Sequence, residues 1–221
     1  MRHQNLNGKK FTRFGKMLIM CMALITAISF SAIPAESYAA SKTVKMTGYN
    51  KVLKMKNTVY VAGAGDSIYK VTVKKGVVKS KKKITKGGWV MGPYSYTSGM
   101  KKKGKYLYIK EGTEGTLFYL SRVNLSNGKT KVLVTSFGEN GPVKYAIKGK
   151  KIYYKFAWSG KKRVMKLNGK SKKKTSAKIV MKTKASNAKG YSVSYKEKGQ
   201  KVITYLKTPK GKYKLGALKI E

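Results

Sequence analysis

The feature that most constrains this chain is a recurring unit of short strands. Past residue 40, apolar residues return at every second position in runs rich in Val, Ile and Tyr, bounded by Gly, Asn, Ser or Lys. Period two is the side-chain period of a strand and the bounding residues are turn formers, so the pattern predicts β-structure with little helix. The units share one order: a strand with an aromatic centre, a polar turn, a second strand, a Gly-containing hairpin turn, a Lys-rich strand. In the first, residues 58–61 lead through Gly63-Ala64-Gly65-Asp66 to 68–73, then over Lys74-Lys75-Gly76 to 77–79. In the second, 106–109 lead to 117–125, the turn Ser126-Asn127-Gly128 and a strand at 129–134. A third spans 152–154, 164–167 and Asn168-Gly169, and a divergent fourth spans 191–195, 202–206 and Lys210-Gly211.

With Tyr60, Tyr108, Tyr154 and Tyr195 as equivalent positions, the spacings are 48, 46 and 41 residues. A period in the forties with several strands per unit predicts an all-β, propeller-like array of about four antiparallel repeats. An irregular β-sandwich or barrel with similar hairpins is the alternative. Asn127-Gly128 and Asn168-Gly169 suggest type I′ turns, which need positive φ at both central residues. The stretch Leu120-Ser121-Arg122-Val123-Asn124-Leu125-Ser126-Asn127-Gly128-Lys129 carries the pattern best. It resembles the propeller-like repeats of Gram-positive bacterial secreted proteins, a resemblance that covers about residues 44–221. Such repeats imply a recognition surface and no catalytic set.

The N-terminus reads differently. Arg2, Lys9, Lys10, Arg13 and Lys16 precede an uncharged apolar stretch at 17–33, and Ser37-Tyr38-Ala39 follows Pro34. That order predicts a secretory signal peptide over 1–39 and a single all-β repeat domain over 40–221. An uncleaved membrane anchor is the alternative. Cleavage would remove His3 and Cys21, the only histidine and cysteine. Disulfides are then impossible, and no transmembrane helix is expected in the mature chain.

Charge bounds the partner. The sequence holds 51 Lys+Arg against 7 Asp+Glu, a net charge of +44. Self-repulsion on that scale destabilises a compact state, so the chain must live among counter-charges. Past residue 39 only Arg122 and Arg163 are arginines. Lysine is a hydrated point charge without the planar fork of arginine, which points to diffuse attraction to a polyanion rather than base-specific readout. The candidate polyanion-binding residues are the runs Lys81-Lys82-Lys83, Lys101-Lys102-Lys103, Lys150-Lys151, Lys161-Lys162-Arg163 and Lys172-Lys173-Lys174. Loops that recur on one face of a repeat array would concentrate them; a uniformly charged surface is the alternative.

Catalysis has little support. Without histidine or cysteine the exported chain has no imidazole base, thiol nucleophile or soft-metal site. Glu111 and Glu114 fall in a Gly-rich turn and read as solvated turn residues rather than a paired-carboxylate centre. Asp66, Glu139, Glu197 and Glu221 are scattered, so no metal or other cofactor is expected. Gly63-Ala64-Gly65 lacks the third glycine of a dinucleotide fingerprint, which is Ile68 here. Gly169-Lys170-Ser171 lacks the earlier glycine of a phosphate loop, which is Val164. Tyrosines between the lysines suit strand packing, with stacking on a ligand as the alternative; Trp89 and Trp158 are the expected exposed aromatics. The sequence therefore predicts a secreted, non-catalytic domain that adheres to an anionic cell-wall polymer or acidic polysaccharide of the envelope. An extracellular nucleic-acid binder and a protein-interaction scaffold are the rivals.

Overall fold

The computed structural model describes residues 43–46, 50–85, 97–113, 116–181 and 188–219. The segment 1–39, Trp89 and Glu114 lie outside these residues. Ser41–Glu221 forms one compact unit. Its strands are β1 (Val44–Met46), β2 (Val52–Met55), β3 (Thr58–Ala62), β4 (Ile68–Lys74), β5 (Val77–Lys83), β6 (Ser98–Lys103), β7 (Tyr106–Thr113), β8 (Leu117–Asn124), β9 (Thr130–Phe137), β10 (Val143–Lys148), β11 (Lys151–Phe156), β12 (Lys162–Lys166), β13 (Lys173–Lys174), β14 (Ile179–Met181), β15 (Ser192–Glu197), β16 (Lys201–Thr208) and β17 (Gly211–Lys219). Sequential hairpins build sheet 1 from β2 to β5, sheet 2 from β6 to β9, sheet 3 from β10 to β13 and sheet 4 from β15 to β17. Strands β1 and β14 pair in parallel, tying the start of the described chain to its last third.

Alternation along each second strand decides which neighbouring sheet a side chain meets. On β3, Val59 and Val61 pack with Leu206 and Leu215 of sheet 4, whereas Tyr60 and Ala62 pack with Leu107 and Ile109 of sheet 2. Tyr108, on the opposite face of β7 from Leu107, joins Ile152 and Tyr154 of sheet 3. Tyr153 turns the other way, onto Val44, Met46 and Ile179 of the β1–β14 pair. Sheets 1 to 3 are therefore covered on both faces, in the order sheet 4, 1, 2, 3, β1–β14 pair. A two-layer sandwich buries only the inner face of each sheet. The fold is the all-β, propeller-like array that the repeat spacing predicts.

Tyrosine hydroxyls pin the sheets together. Tyr108 donates to the Leu167 carbonyl at 3.0 Å, Tyr145 to the Tyr108 carbonyl at 2.8 Å and Tyr195 to the Ala62 carbonyl at 3.0 Å. The Tyr195 ring stays 40% exposed, yet burial at its hydroxyl end pushes the phenol up to about 12. Most repeat tyrosines thus serve packing.

The hairpin turns differ from the type I′ expectation. Positive φ falls on Gly128 (72°) and Gly169 (87°) but not on the asparagines before them. The reason is local: Asn127 and Asn168 each accept a hydrogen bond from the backbone N–H two residues on, at 3.0 Å. Such Asx contacts build the turn from right-handed residues and leave the left-handed step to glycine. At Gly128 the requirement is double, because an added Cβ would collide with the Ile84 carbonyl oxygen.

Candidate polyanion-binding surface

Strand register sets the arrangement of the lysines. In sheet 3, Lys144 lies opposite Lys155 and Lys155 opposite Lys162; Lys148 lies opposite Lys151 and Lys151 opposite Lys166. Arg163 faces Lys174 across the next strand pair. Elsewhere Lys70 faces Lys82, Arg122 faces Lys131, Lys201 faces Lys219 and Lys207 faces Lys212. Directly opposed residues hold their Cβ atoms about 4.5–5.5 Å apart, and like charges at that spacing destabilise a sheet. Rungs of repelling cations thus run perpendicular to the strands; Lys148, Lys151 and Lys166 are exposed, whereas Lys144 and Lys155 are half-buried and only Lys162 of that rung is exposed.

The sequence-predicted runs are spread over the array. Lys81, Lys82 and Lys83 end β5 and are exposed; Lys101, Lys102 and Lys103 end β6, before its hairpin. Lys150 occupies the β10–β11 turn with Lys151 after it, whereas Lys161, Lys162 and Arg163 follow the β11–β12 turn at the opposite end of sheet 3. Lys172, Lys173 and Lys174 follow the β12–β13 turn, at the same end as Lys150. No single face collects all of them, because successive hairpins of a meander alternate ends. Linear reading missed Lys70, Lys144, Lys148, Lys155 and Lys166, which join its runs through register, and the pairs Arg122–Lys131, Lys201–Lys219 and Lys207–Lys212, which register alone creates. The hairpin glycines were the signal for them, since they fix register once the loop length is known.

Aromatic rings take part of this charge. The Arg122 guanidinium lies 4.2 Å from the Tyr106 ring centroid, Lys212 Nζ 4.5 Å from Tyr205 and Lys51 Nζ 5.0 Å from Tyr195. Each such contact contributes about 0.5–1 kcal/mol at an exposed site.

Glu111 corrects the reading of it as a solvated turn residue. It lies within β7 and is half-buried, its carboxylate accepting a hydrogen bond from Ser121 Oγ. Burial, with the negative charge of Asp66 adding, pushes its carboxyl up to about 7, and the Ser121 bond opposes the shift. Asp66 itself is latched to the sheet 1–sheet 2 seam: Thr97 Oγ1 donates to its Oδ1 at 3.2 Å and Thr85 Oγ1 to its carbonyl at 3.1 Å. Glu111 therefore exchanges its proton around neutral pH rather than in acid. The adjacent Lys110 is 5% exposed and is lowered to about 8 by burial and by the charge of Lys144. Among the described residues, no three His, Cys, Asp or Glu side chains cluster to hold a metal ion.

Trp158 is exposed, at 60%, in the β11–β12 turn. Its ring lies against Gly141, where an added Cβ would collide with the indole, and edge-on to Phe118 at 6.0 Å between centroids and 84° between planes.

No protein-family model matches the chain, and no curated protein does. Among solved structures, a chain of a nidogen/laminin complex is similar at 14% identity and a TM-score of 0.38, over 74% of this chain. This chain spans 63% of that one. The computationally designed Ika4 protein is similar at 13% identity and a TM-score of 0.39, over 79% of this chain and 92% of its own.

Proposed function

We propose that this chain is an exported, non-catalytic binding domain that adheres to anionic polymers of the cell envelope through cross-strand lysine rungs. The observation that carries the reading is the direct opposition of like charges, above all Lys144–Lys155–Lys162 and Lys148–Lys151–Lys166. A fold gains nothing from such rungs by itself. A polyanion laid across the strands converts each repulsion into shared attraction and releases its own counterions. Lysine, rather than arginine, fits a partner with dense charge and no fixed hydrogen-bond pattern.

The test is a salt series. With about eight lysine contacts on duplex DNA as a reference polyanion, log affinity should fall against log salt with a slope of roughly −7. Changing the exposed rung Lys148, Lys151 and Lys166 together to Gln should flatten that slope by about 2–3, with little dependence on nucleotide sequence. Affinity for a wall polymer carrying phosphodiesters should exceed that for nucleic acid of equal charge. The reverse order favours the extracellular nucleic-acid binder. A saturable protein partner that survives high salt favours the scaffold.

A further inference from the structure

Past residue 39 the chain sets two arginines among its lysines, and both face the gap between sheets 2 and 3. Arg163 lies two residues before Met165 on β12 and Arg122 two after Leu120 on β8, and Met165 and Leu120 both pack into that gap. Arg122 is also seated there. Its guanidinium lies 4.2 Å from the Tyr106 ring centroid, and Nη1 donates to the Leu167 carbonyl across the gap in a long bond of 3.4 Å. Tyr108, directly opposite Arg122 on β7, donates to the same carbonyl at 3.0 Å. Part of the guanidinium is thus committed to its seat, while the side chain is only half-buried and the fork keeps further N–H donors. A fork fixed before a partner arrives does not have to be ordered on binding. Lysine could supply the charge at this position, but neither the planar stack nor the paired donors.

Two further cations stand to either side of β8. Lys131 is directly opposite Arg122 on β9 and is exposed. Lys105 Nζ lies 5.8 Å from the centroid of the same Tyr106 ring, and its turn is tied to the end of β8 by Leu125 N–H, which donates to the Lys105 carbonyl at 2.9 Å. Among the described residues no acid answers these three. Asp66 and Glu111 belong to the seam with sheet 1, on the other face of sheet 2; Glu139 follows β9 at the far end of that sheet, and Glu197 is on β15. We propose that Arg122 is a specificity-determining anchor for one phosphodiester group of a wall polymer, its fork taking the non-bridging oxygens while Lys105 and Lys131 close from the sides. This rests on the polyanion reading and adds to its diffuse attraction one contact of fixed geometry. A phosphodiester fits better than a carboxylate because cations flank the fork as well as forming it. A tetrahedral group can turn oxygens toward all three, whereas the fork alone fills both oxygens of a planar carboxylate.

The test uses the full chain with three probes of equal charge: synthetic oligo(glycerol phosphate), poly-L-glutamate and oligothymidylate. Arg122→Lys keeps the charge and removes the fork. It should weaken oligo(glycerol phosphate) about tenfold, the scale of one charge-assisted hydrogen bond, with the salt slope unchanged and polyglutamate affinity near wild type. Tyr108→Phe removes the neighbouring bond to the Leu167 carbonyl and leaves the fork in place, so it should lower the melting midpoint and keep the affinity. Arg163→Lys, at the other arginine facing this gap, should keep the affinity too. In wild type, the Arg122 Nε–H resonance, identified through its proximity to the Tyr106 ring, should move when oligo(glycerol phosphate) is added. A stationary resonance, or no loss in Arg122→Lys, overturns the subsite and leaves the lysine reading in place. An equal loss from Tyr108→Phe or Arg163→Lys overturns it as well, since Arg122 would then act by tying the sheets or as any arginine here would. The same loss for polyglutamate overturns the phosphodiester assignment, and tighter wild-type binding of oligothymidylate overturns the wall polymer as its source. Failure of every probe to bind wild type at low salt removes the lysine reading and the subsite together.

Discussion

Replacing Glu111 with Gln should make the protein more stable above neutral pH and leave it unchanged in acid. Gln keeps the volume and an oxygen that accepts the Ser121 hydroxyl, while removing a charge that burial and Asp66 both disfavour. The carboxyl is raised from 4.5 to about 7, so the folded state binds its proton more tightly than the unfolded chain does. Its contribution is fully present below about 4.5, fades as pH rises and is gone above 7. At about 1.4 kcal/mol per pKa unit, wild type gives up about 3 kcal/mol across that window relative to the variant. For a chain of this size, that moves a melting midpoint by several degrees. Urea unfolding of both proteins at pH 4.5, 6, 7 and 8 measures it, with m-values compared to confirm that the same surface is exposed. The difference between the two proteins isolates Glu111 from Lys110, whose lowered pKa acts in the opposite direction: stability is present above the lysine's usual 10.5 and lost as pH falls through about 8. A stability gap of the same size at pH 4.5 and pH 8 would refute the buried-proton account.

Gly128→Val should destabilise by more than 2 kcal/mol in thermal unfolding, because it adds strain at a φ of 72° to a collision with the Ile84 backbone; near-neutral stability would show that the seam shifts freely. N-terminal sequencing of exported protein should start near Ala40, and a Met1 start in the membrane fraction would show an anchor instead.

Much of the fold was legible because repeat spacing and strand alternation act together. Tyr60, Tyr108 and Tyr154 do fall on the second strands β3, β7 and β11, and the neighbours of each split between two cores as period two requires, but Tyr195 falls on β15, the first strand of sheet 4, so the fourth equivalence fails. The turn glycines were placed correctly, but the turn type was not, because an asparagine side chain can replace a backbone conformation. The charged surface was legible in amount and not in arrangement. A run such as Lys101–Lys103 alternates across two faces, while Lys144, Lys155 and Lys162 stand far apart in sequence and side by side in the sheet. Glu111 was misread for a similar reason: a Gly-rich stretch looks like a turn until β8 is known to pair with it.

The rungs make salt act on this protein in two opposing ways. In the free chain, opposed lysines repel across sheets 1, 3 and 4. Each opposition is weak, because the flexible stems splay and water screens the heads. They recur, however, on a chain with a net charge of +44, and no local change relieves the sum. Raising salt from about 0.01 to 0.15 M shortens the Debye length from roughly 30 to 8 Å and screens that sum, so the free protein should gain stability over this range. Polyanion binding should weaken over the same range. A bound polyanion stabilises the folded state by mass action, so its effect on the melting midpoint should be largest at low salt and shrink as the free protein becomes more stable. Thermal unfolding with and without polyphosphate, from 0.01 to 0.5 M salt, should therefore give two curves that converge from opposite directions. Curves that run parallel would mean that the polymer's stabilisation does not depend on salt, and charge-driven binding by the rungs would be refuted.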